Sequence, residues 1–362
     1  MHIKIFSKSG LLALLLTVAL GSCASSDDEY VATSPVVMNL DAVPYPKLSD
    51  YKFFSGAINQ LQPSFGVLPY RPASELFTDY AQKSRFVWMP KDSIANYTTD
   101  HEVLNLPIGS ALLKNFYYDQ VQPENTRKII ETRVMIRKTS GWIFANYVWN
   151  NEQTEATLDL QGSTVPLSWR DQNNVLQTIN YKIPSQIDCA KCHAGMHENQ
   201  PIGIKPQNLN HNYSYSSGSQ NQLSKWIAFG YLENNLPANI ISTVNYLDAS
   251  QDLNLRVRSY FDSNCAHCHR EHGDGEFVSI RMAFNETVEP AKMGVCVGAA
   301  LQVPGISHGM IVSPNNTAQS TLYYMMNTDN TNFRMPRVGR TMVHQEGVNL
   351  VQQWIASLPA CN

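Results

Sequence analysis

The segments DCAKCHAG at residues 188–195 and NCAHCHRE at 264–271 repeat one pattern, Cys-x-x-Cys-His, and hold four of the chain's seven cysteines. Two thiols followed at once by an imidazole restrict the local backbone severely, because all three side chains must converge on one object. The spacing is that of c-type haem attachment, in which the thiols add to two vinyl groups on one edge of the porphyrin and the histidine turns onto the iron. The pattern predicts two covalently bound haem c groups, one held by Cys189, Cys192 and His193, the other by Cys265, Cys268 and His269. Rival readings fit less well. A thioredoxin-like dithiol wants a βαβ context and has no use for the histidine, a zinc site made of the four cysteines leaves both histidines unexplained, and disulfides across two-residue gaps are strained.

The N-terminus says where these cysteines work. Residues 1–22 carry Lys4 and Lys8 and then LLALLLTVAL, a run too short to span a bilayer and of signal-peptide length. It ends in LGSC, which resembles the lipobox of bacterial lipoproteins and implies cleavage before Cys23 and lipid attachment to it. Residues 23–39 then read as a lipidated tether whose ASSDDEY start is polar and acidic, with nothing to pack. An exported lipoprotein is expected, at the outer membrane on its periplasmic face or at the cell surface. Haem attachment of this type takes place outside the cytoplasm, so the leader and the motifs agree.

Taking Lys4 and Lys8 from the 27 basic residues leaves 25 against 30 acidic ones, so the formal charge moves from −3 to −5. That balance excludes a nucleic-acid partner, which selects basic faces. In an oxidising compartment each remaining cysteine needs an assignment. Cys23 takes lipid and four serve the motifs, so Cys296 and Cys361 are expected to form a disulfide. A closed loop of about 65 residues corresponds to roughly 4 kcal/mol in the chain-entropy account.

The segment QDLNLRVRSYFDSN, leading into the second motif, places Leu253, Val257, Tyr260 and Phe261 at helical spacing. Near the C-terminus HQEGVNLVQQWIASL places Val348, Val351, Ile355 and Leu358 at intervals of three, four and three, with Trp354 alongside, and predicts an amphipathic helix. Between them, FRMPRVG resembles the distal-ligand loop of small class I cytochromes c. This implies Met335 as the second iron's far-side ligand, a thioether that raises the reduction potential. For the first haem no distal ligand stands out. Met196 and His197 follow His193 too closely to reach the far face, whereas His211, Met282, Met293 and Met310 all stay open. NQLSKWIAFGYL predicts a short helix with Leu223, Trp226, Ile227 and Tyr231 on one face.

Residues 40–183 read differently. RKIIETRVMIRKTSGWIFANYVWNN and EATLDLQGSTVPLSW are rich in β-branched and aromatic residues, with hairpin turns expected at 139–141 and 161–163. His101, Glu102, Glu131 and Arg133 could face a haem edge but are read first as solvated strand faces. The chain therefore reads as a multidomain α+β protein. A signal peptide (1–22) and tether (23–39) precede a mostly β domain (40–183), a first haem module (184–250) and a second cytochrome c-like module (251–362), both haem modules mainly α-helical.

LSDYKFF, GVLPYRPASELFTDYAQKSRFVWMP, LPIGSALLKNFYY, IETRVMIR and YVWNNEQTEA resemble the N-terminal region of a family of bacterial dihaem c-type cytochromes. YKIPSQIDCAKCH, YFDSNCAHCH, MPRVGR and EGVNLVQQWIASL continue the resemblance over nearly all of the mature chain. It implies two covalent haems and electron transfer between redox protein partners in the cell envelope, and it points to a parallel β-helix protein as a partner. The alternative is a dihaem enzyme resembling cytochrome c peroxidase, with the first iron open to a peroxide and an acid or base such as His211 nearby.

Overall fold

Strands dominate wherever the sequence alternates between two apolar faces. The computed structural model describes residues 33–361 except 194, 196, 197 and 308, so the expected leader, Cys23 and most of the tether lie outside the described residues. An antiparallel meander runs β1 (Leu68–Tyr70), β2 (Gln82–Trp88), β3 (Ala111–Val121), β4 (Thr126–Lys138), β5 (Gly141–Trp149) and β6 (Ala156–Leu158). The hairpin β7 (Ser163–Arg170) and β8 (Leu176–Ile183) joins it where Trp169 pairs with Val121 of β3.

Both faces of this sheet are largely covered, so apolar residues stand on both sides of its strands, broken by charged positions such as Arg85, Lys114 and Arg133. Phe86, Leu113, Val134 and Tyr147 point one way and pack on Leu48, Tyr51, Phe53 and Phe54 from the preceding arm. Their neighbours Val87, Leu112, Met135 and Trp142 point the other way, beneath Ile204, Leu209, Leu223 and Trp226 from the chain after the sheet. The period-two alternation of a strand thus serves two cores.

The turn at 139–141 forms as expected, with Lys138 opposite Gly141. The one at 161–163 does not close a hairpin: it links β6 to β7, which pair with β5 and with β3 and β8 respectively. Gly162, at φ +80°, is needed there for another reason, since a Cβ would lie 2.7 Å from the Ser185 backbone nitrogen.

The expectation of mainly helical haem modules is overturned. Beyond β8 the described residues hold six helices: α1 (Gln186–His193), α2 (Pro206–Leu209), α3 (Gln222–Ala228), α4 (Leu253–Asn264), α5 (Thr321–Met326) and α6 (Gln345–Ser357). Only α4 and α6 run beyond eight residues, while a small hairpin, β9 (Asn212–Tyr215) with β10 (Gly218–Asn221), and long irregular connections make up the rest. The molecule is predominantly β-sheet with irregular loops. Between α4 and α6 the sequence is punctuated by Gly273, Gly275, Pro290, Gly294, Pro304, Gly305, Pro314 and Pro336. Each costs an interior helix position roughly 1–3 kcal/mol, and short helices do not repay nucleation.

The two longer helices match their predicted spacing. Asp252 caps α4 by accepting from the Leu255 N–H at 2.9 Å. Phe261 meets Trp354 edge-on at 5.8 Å, and the Trp354 indole donates to Asn254 at 3.2 Å. Such aromatic side chains contribute roughly 1.5–3 kcal/mol each when fully buried. From Ser34 onward the chain forms one compact unit. The Cys296–Cys361 disulfide is formed, at a sequence separation of 65 and a Cα–Cα distance of 5.8 Å. No helix among the described residues is long and apolar enough to cross a membrane.

Candidate functional site

The first motif occupies α1, whose start is set by Ser185 and Asp188. The Asp188 N–H donates to the Ser185 hydroxyl at 3.2 Å while the Asp188 carboxylate accepts from the Ser185 N–H at 3.3 Å, a reciprocal cap. Helical spacing then brings Cys189, Cys192 and His193 to one side, since residues three and four apart are neighbours on a helix. That side faces β5. The Asn146 amide lies 3.7 Å from the Cys189 sulfur, and the Phe144 ring lies 4.9 Å from that of His193.

The His193 Nδ1 sits 2.7 Å from the Gln200 carbonyl oxygen. A carbonyl can only accept, so Nδ1 carries the proton and Nε2 keeps its lone pair, the arrangement that second-shell partners impose on metal-ligating histidines. Burial pushes His193 down to about 4, keeping it a neutral donor. Burial likewise raises the Cys189 thiol.

The second motif continues from the end of α4, where the Cys265 N–H donates to Phe261 and the His269 N–H donates to Cys265. Burial lifts Cys265 to about 12 and lowers His269 to about 4. The His269 Nδ1 is buried beside the Gly275 backbone without a well-formed hydrogen bond, and a Cβ on Gly275 would stand 2.8 Å from it. That glycine leaves the ring its space.

The two motifs, distant in sequence, touch. Cys192, His267 and Cys268 present donor atoms that all lie within 4.8 Å of one another, and the Cys268 sulfur is 3.9 Å from the Lys191 carbonyl. The Cys268 thiol beside it, with His267 alongside, pulls Cys192 below the ordinary thiol range, while the proximity of Cys192 raises Cys268. All four motif thiols are free.

A cavity of about 1170 Å³ opens beside this junction. Cys189, Cys192 and His193 line one side, Ala266 and His267 another, and Arg85, Lys114, Arg133 and Phe144 of the sheet form a wall. Its size is that of a site for a large organic group. The donor set fits haem c at the first motif: free thiols, an imidazole with its far nitrogen available, and adjoining space. The second motif carries the same donor set, two free thiols and an imidazole whose ring Gly275 leaves room for, and the cavity reaches it through Ala266 and His267.

The other predicted residues are placed unevenly. Met335 packs in a small cluster with Val303, Ile306 and Met325, and its N–H donates to the Met325 carbonyl at 2.8 Å. Arg334 and Pro336 on either side of it line the cavity. His211 is engaged at both nitrogens, 2.8 Å from the Arg71 carbonyl and 3.0 Å from that of Asn212, which suits a structural role. Met282 and Met293 are buried in the core around α4 and α6, and Met310 lies against Cys361. His197 and Met196 lie outside the described residues.

Glu131 and Arg133 are not the solvated positions expected from sequence. Glu131 is 0% exposed, is bridged twice by Arg133 at 2.6 and 3.0 Å, and accepts from the Tyr181 hydroxyl at 2.7 Å. His344 was not anticipated at all. It is buried among Phe77, Tyr80, Tyr246 and Tyr260, stacked on Phe77 at 4.1 Å. The only signal in sequence was the aromatic richness of the segments that come to surround it. Comparison of the chain with protein-family models, curated proteins and solved structures finds no match.

Proposed function

We propose that this chain is a dihaem c-type cytochrome that passes electrons between redox partners in the cell envelope. The observation that carries the reading is the first Cys-x-x-Cys-His segment lining a large cavity, with the second segment against it through Ala266, His267 and Cys268, and His193 held as an Nε2 donor by Gln200. Cys189 and Cys192 would hold one haem with His193 as proximal ligand; Cys265, Cys268 and His269 would hold the other, with Met335 as its distal ligand. Bound haem supplies a one-electron centre. The chain does the rest: Phe144 and the Gln200 carbonyl fix the His193 ring, and Gly275 leaves room for that of His269. The adjacency of Cys192 and Cys268 favours rapid exchange within the molecule, so that either motif can face a partner.

In this reading Cys23 carries lipid and holds the protein at the outer membrane, a neighbouring redox protein donates or accepts electrons, and a parallel β-helix protein is one partner. Export-competent expression with haem maturation tests it. The reduced protein should show a c-type α-band with two haems per chain, and an absorption spectrum unchanged by carbon monoxide. A spectrum in which half the haem shifts would transfer the function to peroxide chemistry at the first iron.

One observation favours a second reading. Cys192, Cys268 and His267 converge closely enough to hold a metal ion by themselves. That site would use one thiol from each motif and leave Cys189 and Cys265 without a role. Elemental analysis separates the two, since a zinc-type site gives one equivalent of zinc and no iron.

A further inference from the structure

We propose that Arg85 and Lys114, at the end of a cationic row away from Cys189, form the carboxylate-binding edge of the first site, the place that takes the two acid side chains of the haem attached at Cys189 and Cys192. The inference rests on the haem reading above and assigns the sheet a part in it. Strand register carries it: Arg85 stands opposite Lys114, Lys114 opposite Arg133, and Arg133 opposite Asn146. These four form one row across β2 to β5, and all line the cavity.

Like charges directly opposite each other on neighbouring strands are destabilising, so three adjacent cations need an explanation. Two are compensated. Arg85 pairs with Glu75 at 2.8 Å, and Arg133 with Glu131. Lys114 has no carboxylate partner among the described residues; its ammonium lies 4.8 Å over the Phe116 ring. Burial first, and then Arg85, Lys83 and Arg133, push Lys114 well below the ordinary lysine range. The middle of the row therefore lacks an anion.

The row also has a direction. Its Asn146 end touches Cys189, and strands are spaced about 4.8 Å apart, so Lys114 lies about 10 Å along it from the attachment point. Beside it on the same face runs an apolar row, Leu112, Met135 and Phe144, paired in the same way and lining the cavity. An apolar shelf flanked by cations, with thiols at one end, suits a flat apolar ring bearing thioethers on one edge and two carboxylates on the opposite edge. Oxygen-rich anions without an apolar body would leave the shelf unused.

The test uses the holoprotein with Lys114→Met, Lys114→Arg and Arg85→Gln, the last keeping Arg71 beside Glu75 as a second variant that folds. Reduction potentials of both haems are titrated, and the low-frequency resonance Raman bands of the haem carboxylates are recorded. Losing a cation beside the carboxylates should move one of the two redox waves to lower potential and shift the carboxylate bands, leaving the other wave in place. Lys114→Arg should restore both. Unchanged waves and bands in Lys114→Met and Arg85→Gln would overturn the assignment. So would a new carbon monoxide shift in Lys114→Met, which would make Lys114 an iron ligand. Haem content per chain, measured on the same samples, keeps the questions apart: two haems with unmoved bands sinks only the carboxylate edge, whereas a wild-type protein without haem sinks the reading beneath it.

Discussion

Acidification should destabilise this protein through His344, and the size of the effect follows from where that ring sits. It is stacked on Phe77 at 4.1 Å, and its Nδ1 accepts from the Tyr260 hydroxyl at 3.0 Å. Burial, reinforced by Lys83 and Arg340, lowers it from 6.5 to about 3 and outweighs the solvent-screened Glu346 carboxylate 3.5 Å from its Nε2. In the unfolded chain the ring takes up a proton near its ordinary value; in the folded protein it does not. Stability from this group is therefore complete above pH 6.5 and is lost as the pH falls toward 3. Each unit of difference is worth about 1.4 kcal/mol, so between pH 6.5 and 4 the loss amounts to about 3 kcal/mol. The perturbation is His344→Phe, which keeps the stacking and removes the titration. It leaves the Tyr260 hydroxyl without its acceptor, so the variant should be about 1–2 kcal/mol less stable at pH 7. Denaturant unfolding at pH 7 and pH 4 on both proteins gives the answer, because every other titrating group is common to them. The variant should lose about 3 kcal/mol less than wild type on acidification. Equal losses would refute the argument.

Replacing Cys296 and Cys361 by serine should lower stability by about 4 kcal/mol, the value for a closed loop of some 65 residues, seen as a lower denaturation midpoint with the haem spectrum intact. Met335→Ala should lower the second haem's midpoint potential and open its iron to cyanide, and His269→Ala should remove that haem's normal spectrum altogether; spectroelectrochemistry checks both. Gly162→Ala should be destabilising by about 1 kcal/mol or more, because a positive φ is lost as an easy conformation and the new Cβ meets the Ser185 backbone. Since Ser185 sets the start of α1, this variant should also carry less haem at the first motif than at the second, measured by peptide mass after digestion.

How much of this was legible in the sequence depends on the range of the interactions involved. The strands from Thr126 to Trp149 and the helices α4 and α6 declare themselves in their local sequence, and both formed. The Cys-x-x-Cys-His segments are equally local. Their meeting at Cys192 and Cys268 was not legible, because it depends on how α1 docks on β5 and how the loop after α4 folds back. The helical expectation for the C-terminal part failed although its glycines and prolines were in plain view, because a Cys-x-x-Cys-His segment constrains only its own few residues. Glu131 and Arg133 looked like solvated strand positions because nothing in their own strand shows that Tyr181 covers them. The cationic row is visible only once register places Arg85, Lys114 and Arg133 side by side.

The central claim is covalent haem at both motifs, and peptide mapping of the protein purified from an exporting, haem-maturing host tests it most directly. After digestion, the peptides containing Cys189–Cys192 and Cys265–Cys268 should each carry one haem mass and resist alkylation, and both should absorb as c-type haem. Recovery of those peptides alkylated at all four cysteines, with no haem mass on either, would contradict the account.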